Sequence, residues 1–215
     1  MDYLTSHKGN LYIVGNDPTI YNDHEKLHKI ATLTNDPRAF TIRCKSKGFP
    51  RLGEKTDAVF FNDQYDISFN PKFEKDMKAM YRWSHESGKK IYAYVWGNPH
   101  FHQVKRIYDE LERLNYHWND EETKEGETPK ISNIVTKLMG EEATATYEKY
   151  NISNPTLGFR IVTMYMDLME KSKVSKDLKI NLLNWGLNGG TGGHDWLTEK
   201  KVILEFEREG KLRIP

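Results

Sequence analysis

Short unbroken apolar runs alternate along this chain with longer stretches in which apolar residues recur every three or four positions. Leu11-Tyr12-Ile13-Val14 is one such run, stopped by Gly15-Asn16. Ala39 to Arg43 and Ala58 to Phe61 have the same character. Ile91 to Trp96 is the clearest, closed by Gly97-Asn98-Pro99, and Lys179 to Leu183 leads into Trp185-Gly186. An apolar run without alternation suits a strand buried on both faces. Between the runs the period becomes helical. Residues 72–87 space Phe73, Met77, Met80, Tyr81 and Ser84 along one face, with Gly88 as the stop. Residues 101–115 do the same with Val104, Ile107, Tyr108 and Leu111. Ile131 to Tyr150 reads as a helix. Pro155 marks a turn, and Gly158 to Lys171 reads as a core helix carrying Phe159, Ile161, Val162, Tyr165, Met166 and Met169. Trp196 to Glu209 predicts a last helix ended by Gly210, and Leu212-Arg213-Ile214 a final edge strand.

Strands that alternate with helices need crossover connections, so the pattern predicts an α/β fold with a mainly parallel sheet. A chain of 215 residues supplies a sizeable core for one such domain, spanning 1–215. No internal repeat or interdomain linker interrupts it. Residues 119–130 are charged, contain Gly126 and Pro129, and lack an apolar period. They read as a mobile surface connection, with an active-site lid as the other reading.

Composition narrows the classes. The formal net charge is +1, so no global basic field favours nucleic acid. The single cysteine, Cys44, excludes an intramolecular disulfide and argues against a Cys-based zinc site, which suits a reducing compartment. It lies between Arg43 and Lys45 and reads as a buried structural thiol. The polar first ten residues lack the apolar segment of a signal peptide. No stretch reaches the roughly 20 apolar residues of a membrane helix. A soluble cytoplasmic protein is expected. Aromatic residues make up 12% of the chain, enough to line a sugar or base pocket as well as to fill a core.

In an open parallel sheet, ligands bind beyond the carboxyl ends of the strands. Asn16, Arg43, Asn62, Asn98, Asn184 and the 186–194 loop fall at such ends. An Asn side chain both donates and accepts, which suits a nucleobase or ribose, though a single Asn at a strand end also serves a simple turn. The loop Gly15-Asn16-Asp17-Pro18-Thr19 is neither G-x-G-x-x-G nor a P-loop, so NAD and ATP lack support. No Asp-x-Asp ends a strand. Asp63 and Asp66 are spaced one residue too far, and Asp120-Glu121-Glu122 lies in the charged stretch. His100 and His102 alternate, but no Cys or carboxylate completes a ligand set, so no metal is expected. Among the eight histidines, His7, His24, His28, His85 and His117 read as surface residues. His194 differs. It follows Gly186, Gly189, Gly190, Gly192 and Gly193 at the opening of a helix, with Glu199 five residues on. An imidazole at such a mouth can take a proton from a sugar hydroxyl. Its other role there would be to cap the helix.

These residues together resemble the sialyltransferases, both the bacterial lipooligosaccharide enzymes of family 42 and the animal and plant enzymes of family 29. Ile13-Val14-Gly15-Asn16-Asp17-Pro18-Thr19 is similar to the family's Gly-Asn-Gly-Pro-Ser or Val-Gly-Asn-Ser loop. Ile42-Arg43-Cys44 is similar to the bacterial Phe-Arg-Cys-Asn segment, and Ala58-Val59-Phe60-Phe61-Asn62 to the Ala-Val-Phe-Tyr-Asn strand. Asn154-Pro155-Thr156-Leu157-Gly158 resembles the S motif, and His194-x-x-x-x-Glu199 the very short motif. The five matches keep the family's order and span residues 11 to 214.

The resemblance implies a single Rossmann-like domain of the GT-A variant typical of sialyltransferases. It implies transfer of a 2-keto sugar acid from a CMP-activated donor to a glycan hydroxyl, with inversion and without a metal or other cofactor. His194 and Glu199 would be the catalytic pair, His194 as general base and Glu199 supporting the site from its helix. Gly15, Asn16, Asp17, Arg43, Lys45, Asn62 and Gly186 would surround the donor. Thr156, Leu157 and Gly158 would lie against the cytidine or the sugar carboxylate. Two departures bear on the donor. Lys45 stands where the family has Asn, and could meet a phosphate as a point charge. Leu157 stands where it has Ser or Thr, which removes a hydroxyl and widens the donor from sialic acid to relatives such as Kdo. No counterpart of the eukaryotic family's additional His is present, so leaving-group protonation is unassigned. Two other classes stay open: a non-catalytic nucleotide- or glycan-binding domain on the same scaffold, and a metal-dependent transferase using a nucleoside diphosphate sugar.

Overall fold

The computed structural model describes residues 9–15, 17, 20, 22–44, 55–62, 86–87, 90–94, 135–138, 149–152, 155–170, 178–186 and 194–215. Within them lie seven strands: β1 (Asn10–Val14), β2 (Phe40–Cys44), β3 (Ala58–Asn62), β4 (Lys90–Tyr94), β5 (Val135–Leu138), β6 (Lys179–Leu183) and β7 (Leu212–Arg213). Three helices accompany them: α1 (His24–Thr34), α2 (Leu157–Glu170) and α3 (Trp196–Arg208). All seven strands join one sheet in the order β5-β4-β3-β2-β1-β6-β7, and each neighbouring pair is parallel. The fold is α/β, with an all-parallel sheet of Rossmann-like character.

The unbroken apolar runs have the structural reason expected of them. Side chains alternate between the two faces of a strand, so a strand covered on both faces is apolar at every position. In β1, Leu11 and Ile13 enter a core that includes Phe159, Ile161, Val162 and Tyr165 of α2 and Val202, Ile203 and Phe206 of α3. The alternate residues Tyr12 and Val14 enter a second core with Ile30 of α1, Ile20 and Leu183.

Each helix has a local start signal. Asp23 caps α1, its carboxylate accepting from the Lys26 N–H at 2.9 Å. Asp195 caps α3 by accepting from the Thr198 N–H at 3.3 Å. Thr156 caps α2, its hydroxyl accepting from the Phe159 N–H at 3.1 Å. At the other end of α3, Gly210 sits at φ 71°, and the N–H groups of Gly210 and Lys211 return to the carbonyls of Glu207 and Phe206. That pairing closes the helix in a Schellman motif.

One expectation changes. Ile131 to Tyr150 is not one helix, because Val135–Leu138 is a strand paired with β4. The β-branched Val135 and Thr136 favour a strand once an open sheet edge is beside them. Helix α1 carries only a thin apolar signal, with Ile30 and Thr34 as its buried residues. The expected helices over 72–87 and 101–115 lie outside the described residues, apart from residues 86 and 87, which are helical. The 119–130 connection lies wholly outside them. Among the described residues no helix is long and apolar enough to cross a membrane.

Candidate functional site

The strand order fixes where a crevice can open. From β1 the chain steps outward through β2, β3, β4 and β5, then returns to β6 on the other side of β1. Connections therefore diverge between β1 and β6, and ligands in open α/β sheets bind at such a reversal, outside the carboxyl ends. Val14 pairs with Leu183, so the two strands end level. Gly15 and Asn184 then face each other across the reversal.

The two loops that leave these ends are tied together. The Gly15 N–H donates to the Leu183 carbonyl at 2.8 Å. The Asn184 side-chain amide donates to the carbonyls of Gly15 and Asp17, at 3.0 and 3.1 Å. A Cβ on Gly15 would stand 2.6 Å from the Asn184 backbone oxygen, so only glycine lets the loops approach this closely. A Cβ on Gly186 would stand 3.4 Å from Asp17 Oδ2, which puts Gly186 and Asp17 in the same contact. Asn184 itself has φ 52°, a left-handed backbone that Asn tolerates better than most residues. It is 4% exposed, and its Oδ1 is buried without a hydrogen-bond partner. An unmet acceptor in a folded interior is rare enough to mark the position.

Trp185 extends this contact to α2. A Cβ on Gly158 would stand 2.6 Å from the Trp185 ring. From α2 the contact passes to α3 through one carboxylate. Glu199 Oε1 accepts from the Thr156 N–H at 2.5 Å, and Oε2 accepts from the Thr156 hydroxyl at 2.8 Å. Glu199 is 1% exposed. Burial pushes its carboxyl up from 4.5 to about 7, and Asp195 adds to the rise, while the two Thr156 bonds and the buried Arg160 pull it back. Arg160 also donates from Nε to the Pro155 carbonyl at 3.1 Å, securing the approach to Thr156.

His194 stands one residue before the α3 cap and is partly buried. Its ring meets Trp196 edge-to-face, with centroids 5.9 Å apart. Trp196 Nε1 is buried without a hydrogen-bond partner.

The expected site residues thus divide. Gly15, Asp17 and Gly186 come together at the β1–β6 reversal, and Gly158 joins them through Trp185. Thr156 and Glu199 are bonded to each other. Leu157 is buried in the core. Arg43 goes elsewhere: its Nε donates to Thr56 at 2.7 Å and Nη2 to the Lys55 carbonyl at 3.4 Å. Both partners precede β3, so the guanidinium runs back from the carboxyl end of the sheet. Asn62 ends β3. Asn16, Lys45 and Asn98, the glycines from Gly189 to Gly193, and His100 and His102 lie outside the described residues. His24 and His28 are exposed and Cys44 is buried, as their sequence contexts imply. Asn184 as a clamp, Trp185 as a wedge and Arg160 as a buried cation emerge only from the fold. A lone Arg inside the apolar run of α2 is the one signal that could have drawn attention to the last.

Among the described residues no group of three or more His, Cys, Asp or Glu gathers as metal ligands would. No family model, curated protein or solved structure matches this chain.

Proposed function

We propose that the chain is an inverting glycosyltransferase that moves a 2-keto sugar acid, sialic acid or a Kdo-like relative, from a CMP-activated donor to a glycan hydroxyl, on a GT-A variant of the sialyltransferase type. The observation that carries the proposal is the bond between Thr156 and Glu199. It joins the two segments that resemble the S and very short motifs, which lie 43 residues apart. The clamp between the loops of β1 and β6 is the second support, since it lies where an α/β sheet receives a nucleotide.

In this reading the loops carrying Gly15, Asp17 and Gly186 receive the donor, with Asn16 and Asn62 as further contacts and Lys45 near the phosphate. His194 takes the proton of the acceptor hydroxyl as that oxygen bonds to the anomeric carbon. The bond from the anomeric carbon to the phosphate oxygen breaks on the opposite face, and CMP leaves with the electron pair. A nucleoside monophosphate can be held by backbone amides and cations, so the proposal requires no metal. Arg43 is left out of the donor set because its guanidinium is occupied ahead of β3. Thr156 and Glu199 act on position, because their polar atoms are spent on each other.

Leu157 favours a second reading. Its side chain is core, so it offers the donor no hydroxyl, and a nucleotide- or glycan-binding domain without turnover would tolerate that. A thermal-shift screen with cytidine, uridine, guanosine and adenosine nucleotides, with and without manganese, tests the proposal. Stabilisation by CMP alone, independent of manganese, is expected. Manganese-dependent stabilisation by uridine or guanosine diphosphate would overturn it in favour of a metal-dependent transferase. CMP binding without donor hydrolysis would favour the binding domain.

A further inference from the structure

We propose that Glu199 is a proton-sensitive positioning residue that caps α2 from the first turn of α3, locking the start of α2 to the start of α3 and so fixing the segment that carries His194. In an ordinary capping box the cap residue's own N–H is bonded by a Glu or Gln at the third helical position. In α2 that position is Phe159, which has no acceptor to offer. Glu199 supplies it from another helix, accepting from both the N–H and the hydroxyl of Thr156. The Thr156 hydroxyl in turn accepts from Phe159 N–H, so one chain of hydrogen bonds runs from α3 into the first turn of α2.

The same carboxylate belongs to the first turn of α3, where the Glu199 N–H donates to the carbonyl of the cap residue Asp195. A negative charge near the N-termini of two helices is favoured by both dipoles. Full burial opposes it. Among the described residues, the charged groups that bear on Glu199 are Arg160 from α2, which favours ionisation, and Asp195 from α3, which opposes it. The two forms of the carboxyl make different joints. Ionised, it accepts twice from Thr156. Protonated, it must donate one proton itself, and the Thr156 hydroxyl has to turn away or accept. The joint therefore changes with pH near neutrality, as the rise of this carboxyl to about 7 indicates. His194 precedes Asp195 directly, so a change in the joint moves the base of the proposed reaction.

The role of His194 rests on the function proposed above, but the joint itself does not, and it can be read without turnover. Amide NMR of the full chain carrying His194→Ala follows Thr156 on α2 and Thr198 on α3. Both amides should shift together with a single midpoint near pH 7, and both should be flat when Glu199→Gln is added. Thr156→Ser should keep the midpoint, and Thr156→Val should move it upward at both amides, because the lost hydroxyl bond favours the ionised carboxyl. Shifts at Thr156 that leave Thr198 unmoved would overturn the lock. Titration that survives Glu199→Gln would overturn the assignment to this carboxyl. Calorimetry of the wild-type chain with CMP decides the functional proposal separately, whichever way the amides behave.

Discussion

The ring of Trp185 occupies the place that a side chain on Gly158 would need: a Cβ there would lie 2.6 Å from one ring carbon and 2.8 Å from the next. This contact couples the loop after β6 to the first turn of α2, and it sets two energetic effects against each other. Alanine in a helix is favoured over glycine by about 1 kcal/mol. Overpacking a filled site costs about 1–3 kcal/mol. Gly158→Ala should therefore lower stability despite the better helix former. Adding Trp185→Leu should recover part of that loss, because it removes the ring that collides. Urea unfolding of the two single variants and the double variant checks this. A Gly158→Ala protein at least as stable as wild type would show that Trp185 shifts freely.

Asn184 holds the β1 loop by donating to two carbonyls, a task that depends on an N–H2 group and not on shape. Asn184→Asp keeps shape and tolerance of the left-handed backbone but turns an acceptor toward both carbonyls. It should destabilise the fold by about 1–3 kcal/mol at neutral pH, at least as much as Asn184→Ala. Thermal unfolding of both variants measures the difference. A harmless Asn184→Asp would mean that the clamp contributes nothing.

The contribution of Glu199 to stability should fall as pH rises toward neutrality. The unfolded chain gives up the Glu199 proton near 4.5, whereas the folded carboxyl keeps it to about 7. Between those values the folded state binds more protons, so each step up in pH favours unfolding. The full effect is at most about 3–4 kcal/mol, since each pKa unit corresponds to about 1.4 kcal/mol. It is complete above the folded value and absent below the unfolded one. Glu199→Gln has no such proton, so the stability difference between wild type and variant should drift against wild type over that window. Urea midpoints of the two proteins, measured at several pH values, test the sign.

Much of this architecture is legible in the chain, and what is missed has physical causes. Leu11 to Val14 and Lys179 to Leu183 announce buried strands because a strand covered on both faces has no polar side to show. The caps of α3 are equally local, with Asp195 ahead of the apolar period and Gly210 behind it. Helix α1 is quieter. Only Ile30 and Thr34 are buried, and the hint is Asp23 followed by Leu27, Ile30 and Leu33 at helical spacing. Val135–Leu138 pairs with β4, a partner more than 40 residues away, so local periodicity could not separate strand from helix. The site is harder still. His194 and Glu199 stand out as residues in the sequence, but the bond from Glu199 to Thr156 spans 43 positions. Strand order, which places Gly15 opposite Asn184, is equally non-local. For Arg43 the position at a strand end is legible, but the course of its long side chain to Thr56 is not.

His194 offers the sharpest test of the proposed reaction. A general base contributes about 10²–10⁴-fold to a rate, whereas binding of the donor nucleotide draws on other groups. His194→Ala should therefore lower transfer by about that factor while leaving CMP affinity within a few-fold of wild type. The helix behind it should survive, because Asp195, not His194, caps α3. The loss should differ in kind from that of Glu199→Gln, which keeps the imidazole and disturbs only its footing. Glu199→Gln should shift the pH profile of transfer, while His194→Ala should lower the rate at every pH. Transfer assays across pH, paired with calorimetry for CMP, separate the two. Unimpaired transfer by His194→Ala would remove this imidazole from the mechanism and return the site to a binding role.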